Sequence, residues 1–402
     1  MSLSQELDRE IQRGRQGDAS IIPIAYDRVV DYVDIAKNTM YVLGGETGVG
    51  KSTISIDMFI INPIKWYMLH KNPSIKLSVI YLGMERKMYM TTARIISRLI
   101  FEDTGRHIPP YKILGRKIEH QMSDSEYALV QDYYKILDEW EKDDLFIAHE
   151  NSKNPSGISM YLEQFAMKHG TIHRKDKEDH SMENTLTAET YTPTHPNHIV
   201  IVVVDHIGIL APEKVSGTTK QNIDKFSACM RKCRDVYGFS PVVVQQLNRN
   251  LSDVSRQKLG DLTPKLSDFA DSSQTQQDAD VIMALFDPYR HVTGDPGRDM
   301  GYDLKRLRDD KFRTYYRSLH ILKNSFSSSG MAFPMSLQPV YGILRTLPRK
   351  DDIEESIYHE VVSGEYFQLN TIQKEEQQMA TKAFKGFGNR EVVLEQVKQV
   401  TT

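Results

Sequence analysis

Cysteine is nearly absent from this chain, with two residues in 402, Cys229 and Cys233. They stand four apart in a helical pattern, so they share one helix face. A disulfide within a helix at that spacing is geometrically poor, and half a metal site has no second cysteine pair to complete it. Both are expected as reduced packing residues. A dominant charge sign is lacking too: the net charge is −3. The molecule is no polycation, and nucleic acid could be held only by a local basic surface. No apolar run is long enough to cross a bilayer, since the longest, around Ile199 to Leu210, is broken by Asp205 and His206. The first twenty residues are polar and charged, unlike a signal peptide. A cytoplasmic protein is expected. No internal repeat is visible, and 40% hydrophobic with 26% charged residues is an ordinary globular balance. The length suits two or three domains, or one elaborated α/β domain with appendages.

What is present is more specific. Gly45-Glu46-Thr47-Gly48-Val49-Gly50-Lys51-Ser52 fits G-x-x-x-x-G-K-[ST], a loop that wraps backbone N–H groups around nucleotide phosphates. Met40-Tyr41-Val42-Leu43 before it suits a buried parallel strand. Thr53 to Ile60 after it suits a helix, which Asn62-Pro63 is expected to stop. Gly45, Gly48 and Gly50 permit positive φ and close approach of backbone to an anion, and the helix N-terminus adds partial positive charge. Lys51 is expected to reach the β- and γ-phosphates and Ser52 to ligate Mg²⁺. The expected nucleotide-binding set is Gly45, Glu46, Thr47, Gly48, Val49, Gly50, Lys51, Ser52 and Thr53.

Strands and helices alternate from Tyr41 to about Val340, the pattern of an α/β fold with a mostly parallel sheet flanked by helices. Strands are expected at Tyr41–Leu43, Leu77–Leu82, Leu145–Ala148, Ile199–Val204, Val242–Gln245, Val281–Phe286 and Ser318–Leu322. Helices are expected at Lys51–Ile61, Lys87–Phe101, Ser125–Glu141, Ile158–His169, Asn222–Tyr237 and Ser272–Asp278, with a Ser123/Glu126 capping box. Residues 1–39 read as a short N-terminal helix and linker, 40–348 as the main domain and 349–402 as a C-terminal extension. That extension begins acidic and ends in a charged helix, Glu391–Val400. Residues 170–197 are polar and without apolar period. Their His173, His180 and His195, with His198 just beyond, invite a metal reading, but irregular spacing and mixed charge favour a solvated, mobile insertion.

Three further residues complete a candidate site. Asp205 ends the apolar strand Ile199–Val204, at the sheet edge where a phosphate loop opens, and suits the Mg²⁺ hydration shell; an aspartate capping a turn would look the same. Glu85 follows the strand Leu77–Leu82 and could activate water, though from spacing alone a helix N-terminal carboxylate fits equally. Gln246 ends another apolar strand, where its amide could hydrogen-bond a γ-phosphate.

Taken in order, these segments resemble the RecA-like ATPase domain of DnaB-type hexameric replicative helicases. Gly45 to Thr53 resembles their nucleotide loop. Tyr81-Leu82-Gly83-Met84-Glu85 is similar to the strand end carrying their catalytic glutamate, and Val203 to Leu210 to their Mg²⁺-carboxylate strand. Val244-Gln245-Gln246-Leu247-Asn248-Arg249 resembles their S-Q-L-N-R segment. Most specific is Leu266-Ser267-Asp268 through Gln277-Asp278-Ala279-Asp280, which follows their S-D-L-R-E-S-G-S-I-E-Q-D-A-D segment. The resemblance runs from about Gly44 to Val340 and implies a RecA-like P-loop NTPase core. It implies ATP and Mg²⁺ as cofactors, Lys51, Glu85, Gln246 and Lys323 as catalytic residues, and Ser52 and Asp205 at the metal.

Three departures stand out. Before the core there is no room for the separate helical domain that many of these helicases use for primase contact and ring stability, which suggests a compact phage- or plasmid-type enzyme in the host cytoplasm. The K-x-R element that reaches a neighbour's nucleotide reads Lys323-Asn324-Ser325 here. An arginine finger supplies ~10³–10⁵ in rate, so turnover is expected to be slow unless Arg317 or another arginine substitutes. The arginine of the DNA-facing loop is Ala270.

Asn248 to Lys265 carries Arg249, Arg256, Lys258 and Lys265 with Gly260 and Pro264. Charge alone describes a solvated basic loop. The resemblance implies a channel loop that grips single-stranded DNA by its phosphates. The resulting expectation is an ATP-dependent DNA helicase that forms a homo-oligomeric, hexameric ring, with primase or loader proteins as further partners and no membrane. The alternative is a RecA-like ATPase that assembles on DNA with weak hydrolysis and no unwinding, as a scaffold or recombination mediator.

Overall fold

The computed structural model describes residues 3–15, 21–70, 72, 74–115, 121–150, 154–174, 189–213, 218–248, 256, 262–269, 273–291 and 295–367. Arg249, Lys258, His180, Ala270 to Ser272 and the expected helix Glu391–Val400 lie outside the described residues.

Chain order begins with helix α1 (Leu3–Arg15) and a small antiparallel pair, β1 (Ile21–Pro23) with β2 (Asp34–Ala36). Next come β3 (Tyr41–Gly45), α2 (Lys51–Ile56), α3 (Asn62–His70) and β4 (Lys76–Gly83). Then follow α4 (Met88–Thr104), α5 (Pro110–Ile113), α6 (Asp124–Lys142), β5 (Phe146–Glu150) and α7 (Pro155–His169). A separate hairpin, β6 (Gly170–Arg174) with β7 (Glu189–Pro193), precedes β8 (His198–Asp205), α8 (Thr219–Asp235), β9 (Ser240–Gln246) and β10 (Val281–Phe286). A short ribbon, β11 (Arg298–Asp299) with β12 (Tyr302–Asp303), leads to β13 (Tyr316–Asn324), β14 (Met331–Gln338) and β15 (Ile343–Thr346).

Nine strands form one sheet in the order β15-β14-β13-β10-β3-β9-β8-β4-β5. From β10 to β5 every pairing is parallel, and β13, β14 and β15 extend the other side antiparallel. The parallel strands are covered on both faces, which is why they read as continuous apolar runs. Period-two alternation divides them. Ile199, Ile201 and Val203 of β8 join one core with Ile54, Ile95, Leu99 and Trp140, whereas Val200, Val202 and Val204 join another with Leu162, Phe226 and Met230. Cys229 and Cys233 are free thiols buried in that second core.

Two expectations are corrected. Asn62-Pro63 does not stop the helix: a π-helical turn, Asp57–Ile61, carries it into α3, with the Asn62 N–H donating to Asp57 O. Pro63 then falls in the first turn of α3, where its missing N–H costs little. Buried Asp57 repays the irregularity by accepting from Leu344 N at 2.8 Å and Asn62 Nδ2 at 3.0 Å. The polar stretch 170–197 is not simply a solvated insertion, because its described arms are the β6–β7 ladder. Its His173 bonds Thr192 Oγ1 at 3.1 Å, and the neighbouring His198 is buried against Ser78 Oγ at 2.9 Å. Among the described residues, no group of three or more His, Cys, Asp and Glu side chains suits a metal ion. The first part of the expected C-terminal extension is packed against the residues before it. Ile357, Tyr358, Val361 and Phe367 pack with Tyr302, Leu304, Tyr316 and Tyr341 in a third core on the antiparallel side.

Candidate functional site

Register sets this site. Gly83 of β4 pairs with Asp205 of β8, Asp205 with Val244 of β9, and Gly45 of β3 with Gln246 of β9 and Leu285 of β10. The C-terminal ends of five parallel strands therefore open beside one another, at the edge where ligands bind in open α/β sheets. The loop from Glu46 to Gly50 rises from the middle of that edge into α2.

Gly48 and Gly50 have φ of 78° and 111° and require glycine. Gly45 is not in the left-handed region. Its constraint is space: a Cβ there would lie 2.8 Å from Val49 Cγ2 and 3.0 Å from Lys51 Cγ. Lys51 is buried, and its Nζ donates to Glu46 O at 2.7 Å, which curls the loop over the ammonium. Burial lowers the Lys51 pKa to about 8, against the opposing pull of the Asp205 and Glu85 carboxylates.

Asp205 is 4% exposed. Its Oδ2 accepts from Tyr81 Oη at 3.1 Å, while its buried Oδ1 has no partner. Burial raises its pKa, and bonds from Ser52 and Tyr81 work against that rise. Glu85 is half-exposed beyond β4, with Oε2 3.9 Å from His206 Nε2. The Gln246 amide donates to Thr47 Oγ1 at 2.5 Å. Lys51, Ser52, Asp205, Glu85 and Gln246 thus gather at one end of the sheet.

Other expected residues point elsewhere. Lys323 Nζ donates to the carbonyls of Gln276, Gln277 and Ala279 at 3.0, 3.2 and 2.6 Å, closing the C-terminus of helix Ser273–Asp278. Ser325 turns onto Asp280 O at 3.1 Å. Arg317 cannot substitute as an arginine reaching a neighbour: it is buried under the loop, with Nε on Val49 O at 3.1 Å and Nη2 3.2 Å from Asp287 Oδ2. Arg256, expected in an open basic loop, is held by buried Asp268 at 2.6 Å and by Thr263 O at 2.9 Å. Lys265 is exposed, and its backbone N–H donates to Asp268 Oδ2 at 2.8 Å.

Sequence reasoning missed Tyr81 as a partner of Asp205, and it missed the residues after β10. Arg290 Nη1 donates to Thr47 O, and His291 Nε2 lies 2.7 Å from Glu46 Oε2. The Asp287-Pro288 pair marks a turn after a strand, but only the placement of β10 beside β3 brings that turn over the loop. On the flank of α2, Thr53, Ile56, Arg86, Met90, Arg94 and Tyr341 line part of a cavity of about 450 Å³.

Parts of this chain are similar to known proteins. Residues 165–308 match the DnaB-like helicase C terminal domain family. A probable plasmid replicative DNA helicase of Chlamydia psittaci is 30% identical over 102 residues, which is 25% of this chain and 21% of that protein. The chain thus aligns with about a fifth of that curated relative's length. The solved ATPase domain of another protein superposes with a TM-score of 0.59 at 15% identity, over 86% of this chain and 99% of that one. A DnaB-like replicative helicase, solved with its interactions with primase in view, gives 0.56 at 15% identity over 86% and 67%. The structural likeness speaks for the fold: a mostly parallel sheet flanked by helices, as in these RecA-like ATPase domains. The resemblance to DnaB-like helicases read from the sequence is borne out by the family match.

Proposed function

We propose that this chain is a Mg²⁺-dependent ATPase of DnaB type that assembles as a ring, moves along single-stranded DNA and separates the duplex. The observation that carries this reading is the convergence of Lys51, Ser52, Asp205, Glu85 and Gln246 around one glycine loop. Lys51 holds the β- and γ-phosphates. Mg²⁺ would be held by Ser52 and Asp205, and the buried, partnerless Asp205 Oδ1 fits that use. With one carboxylate at hand, most of the ion's oxygens come from phosphate and water, and the ion supplies charge neutralisation. Glu85 takes the proton of the attacking water, and Gln246 exchanges its Thr47 contact for the γ-phosphate. The cavity beside Thr53 takes the base and ribose. Lys265, with Arg249 and Lys258, contacts the DNA phosphates, while Arg256 is held by Asp268.

Lys51→Ala is expected to abolish nucleotide-dependent activity, and Glu85→Gln to retain ATP binding while stopping hydrolysis. Undiminished hydrolysis in Glu85→Gln removes Glu85 from the base role. DNA-stimulated hydrolysis with displacement on a forked substrate, and rings in negative-stain images, support the motor. Solitary protomers under every nucleotide condition refute it.

A second reading is favoured by Lys323 and Ser325, both turned onto their own chain. With no arginine offered at that element, the protein would assemble on DNA with ATP but hydrolyse it poorly. ATP-dependent assembly without displacement selects this reading.

A further inference from the structure

We propose that Arg290 is the arginine that neutralises the γ-phosphate during hydrolysis, supplied in cis from the end of β10. The inference rests on the nucleotide-site reading above and adds a residue to it. Three observations carry it. Arg290 Nη1 donates to Thr47 O, and its Nη2 stands 2.7 Å from where Gly48 would carry a Cβ, so the guanidinium lies across the loop itself. Thr47 is also the residue that receives the Gln246 amide at 2.5 Å, so both groups converge on one residue of the loop. The base of the side chain is anchored: Asp287 Oδ1 accepts from Tyr289 N at 3.2 Å, and Asp287 Oδ2 lies 3.6 Å from Arg290 Nε.

Other arginines near the site are less suited. Arg317 has a side chain 7% exposed and is committed to Val49 O, whereas that of Arg290 is 39% exposed and can trade its carbonyl for phosphate oxygens. Arg86 and Arg94 line the cavity on the Thr53 side of α2 rather than crossing the loop. Charge reaches the reacting centre as well, since Arg290 is one of the groups that disfavour the protonated form of Lys51.

In the step itself, water oxygen bonds to the γ-phosphorus, and the bond from that phosphorus to the β,γ-bridging oxygen breaks. The electron pair of the broken bond stays on ADP, and the proton lost by water passes to the Glu85 carboxylate. Negative charge grows on the bridging and γ-oxygens, within reach of the Arg290 fork. A cis arginine needs no neighbour to complete this charge balance.

The test uses the full chain, with Arg290→Ala and Arg290→Lys beside wild type. Single-turnover hydrolysis, ADP binding and binding of ADP with aluminium fluoride are measured. Arg290→Ala is expected to hydrolyse at least about 10³-fold more slowly, to bind ADP within about threefold of wild type and to lose affinity for the fluoride complex. Arg290→Lys is expected to fall between, and free guanidinium to restore part of the Arg290→Ala rate. Mixing Arg290→Ala with Lys51→Ala chains is expected to recover nothing, because each protomer then lacks one half of its own site. Recovery on mixing would make the arginine a neighbour's, and equal loss of ADP and fluoride-complex binding would make Arg290 a loop brace; either overturns the proposal. Unchanged turnover in Arg290→Ala overturns it too, with the nucleotide site left standing. A wild-type chain that binds no ATP overturns both.

Discussion

The Tyr81 hydroxyl donates to Asp205 Oδ2 at 3.1 Å, from a strand whose Gly83 is the register partner of Asp205. This bond is one of the contacts that oppose the rise in pKa that burial imposes on the carboxylate. Tyr81→Phe is expected to cost about 1 kcal/mol of stability and to raise the Mg²⁺ concentration needed for half-maximal hydrolysis several-fold. A magnesium titration of turnover checks it. An unchanged requirement would mean that the Tyr81 bond contributes nothing to the metal affinity of Asp205.

Gly44 and Phe269 form a second such pair. A Cβ on Gly44, in the central strand, would meet the buried Phe269 ring at 2.4 and 2.5 Å. Gly44→Ala is therefore expected to destabilise by about 1–3 kcal/mol, the usual range for overpacking. Phe269→Leu in the same chain should restore part of the loss, a non-additivity of about 0.5–3 kcal/mol expected of residues in contact. Denaturant unfolding of the two single variants and the double variant measures it. Simple additivity would show that the ring moves aside freely.

How much of this was legible beforehand differs by element. The central strands were readable because burial on both faces demands unbroken β-branched runs, as in Ile199 to Val204. The nucleotide loop was readable because its chemistry fixes both residue type and spacing. The π-helical turn at Asp57–Ile61 was not, since Asn62-Pro63 looks like an ordinary stop and the bonds from Asp57 to Leu344 and Asn62 that accompany the widened turn appear only in the fold. Nor were the grips of Arg290 and Arg317 on the loop, which depend on β10 lying beside β3 and β13 beside β10, a property of topology with no local signature. The inward turn of Lys323 has the same cause: its carbonyl partners belong to a helix 44 to 47 residues away in the chain.

Arg98, 3% exposed, lies 2.5 Å from Asp57 Oδ1 and 3.1 Å from Glu102 Oε1, and it donates to Gly342 O at 3.0 Å. Replacing it by Met leaves Asp57 without its ionic partner and Glu102 with Lys65 alone. A loss of about 3–5 kcal/mol is expected, typical of a broken buried pair. Acid should act on the same network. Burial alone would raise the Glu102 pKa, but the Arg98 and Lys65 charges outweigh it and hold the carboxyl at about 2, below its ordinary 4.5. A depressed carboxylate stabilises the fold above its unfolded pKa, so this contribution is complete above about pH 4.5 and is lost as pH falls towards 2. Thermal unfolding from pH 6 down to 3 should show wild type losing stability faster than Glu102→Gln. Parallel curves would remove Glu102 from the acid response.

Lys51 runs in the opposite sense. Its pKa is lowered from 10.5 to about 8 by burial, so folding penalises the charged form. The ligand-free chain should therefore gain stability as pH rises from about 8 towards 10.5, the reverse of a lysine that gains a partner. Phosphate needs the ammonium form. ADP affinity should hold steady from about pH 7 to 8 and then fall by up to tenfold per unit as the free site loses its proton. Binding above pH 8 should take up close to one proton per nucleotide, visible as a dependence of calorimetric heat on the buffer's ionisation enthalpy. Stabilisation of the fold by ADP should shrink over the same interval. Lys51→Arg, which stays charged throughout, should bind more weakly because the longer fork does not fit beneath Glu46 O, but with a flat pH profile. A wild-type affinity that stays constant to pH 9.5 with no proton uptake would show that the ammonium is held by its carboxylate neighbours more firmly than burial weakens it.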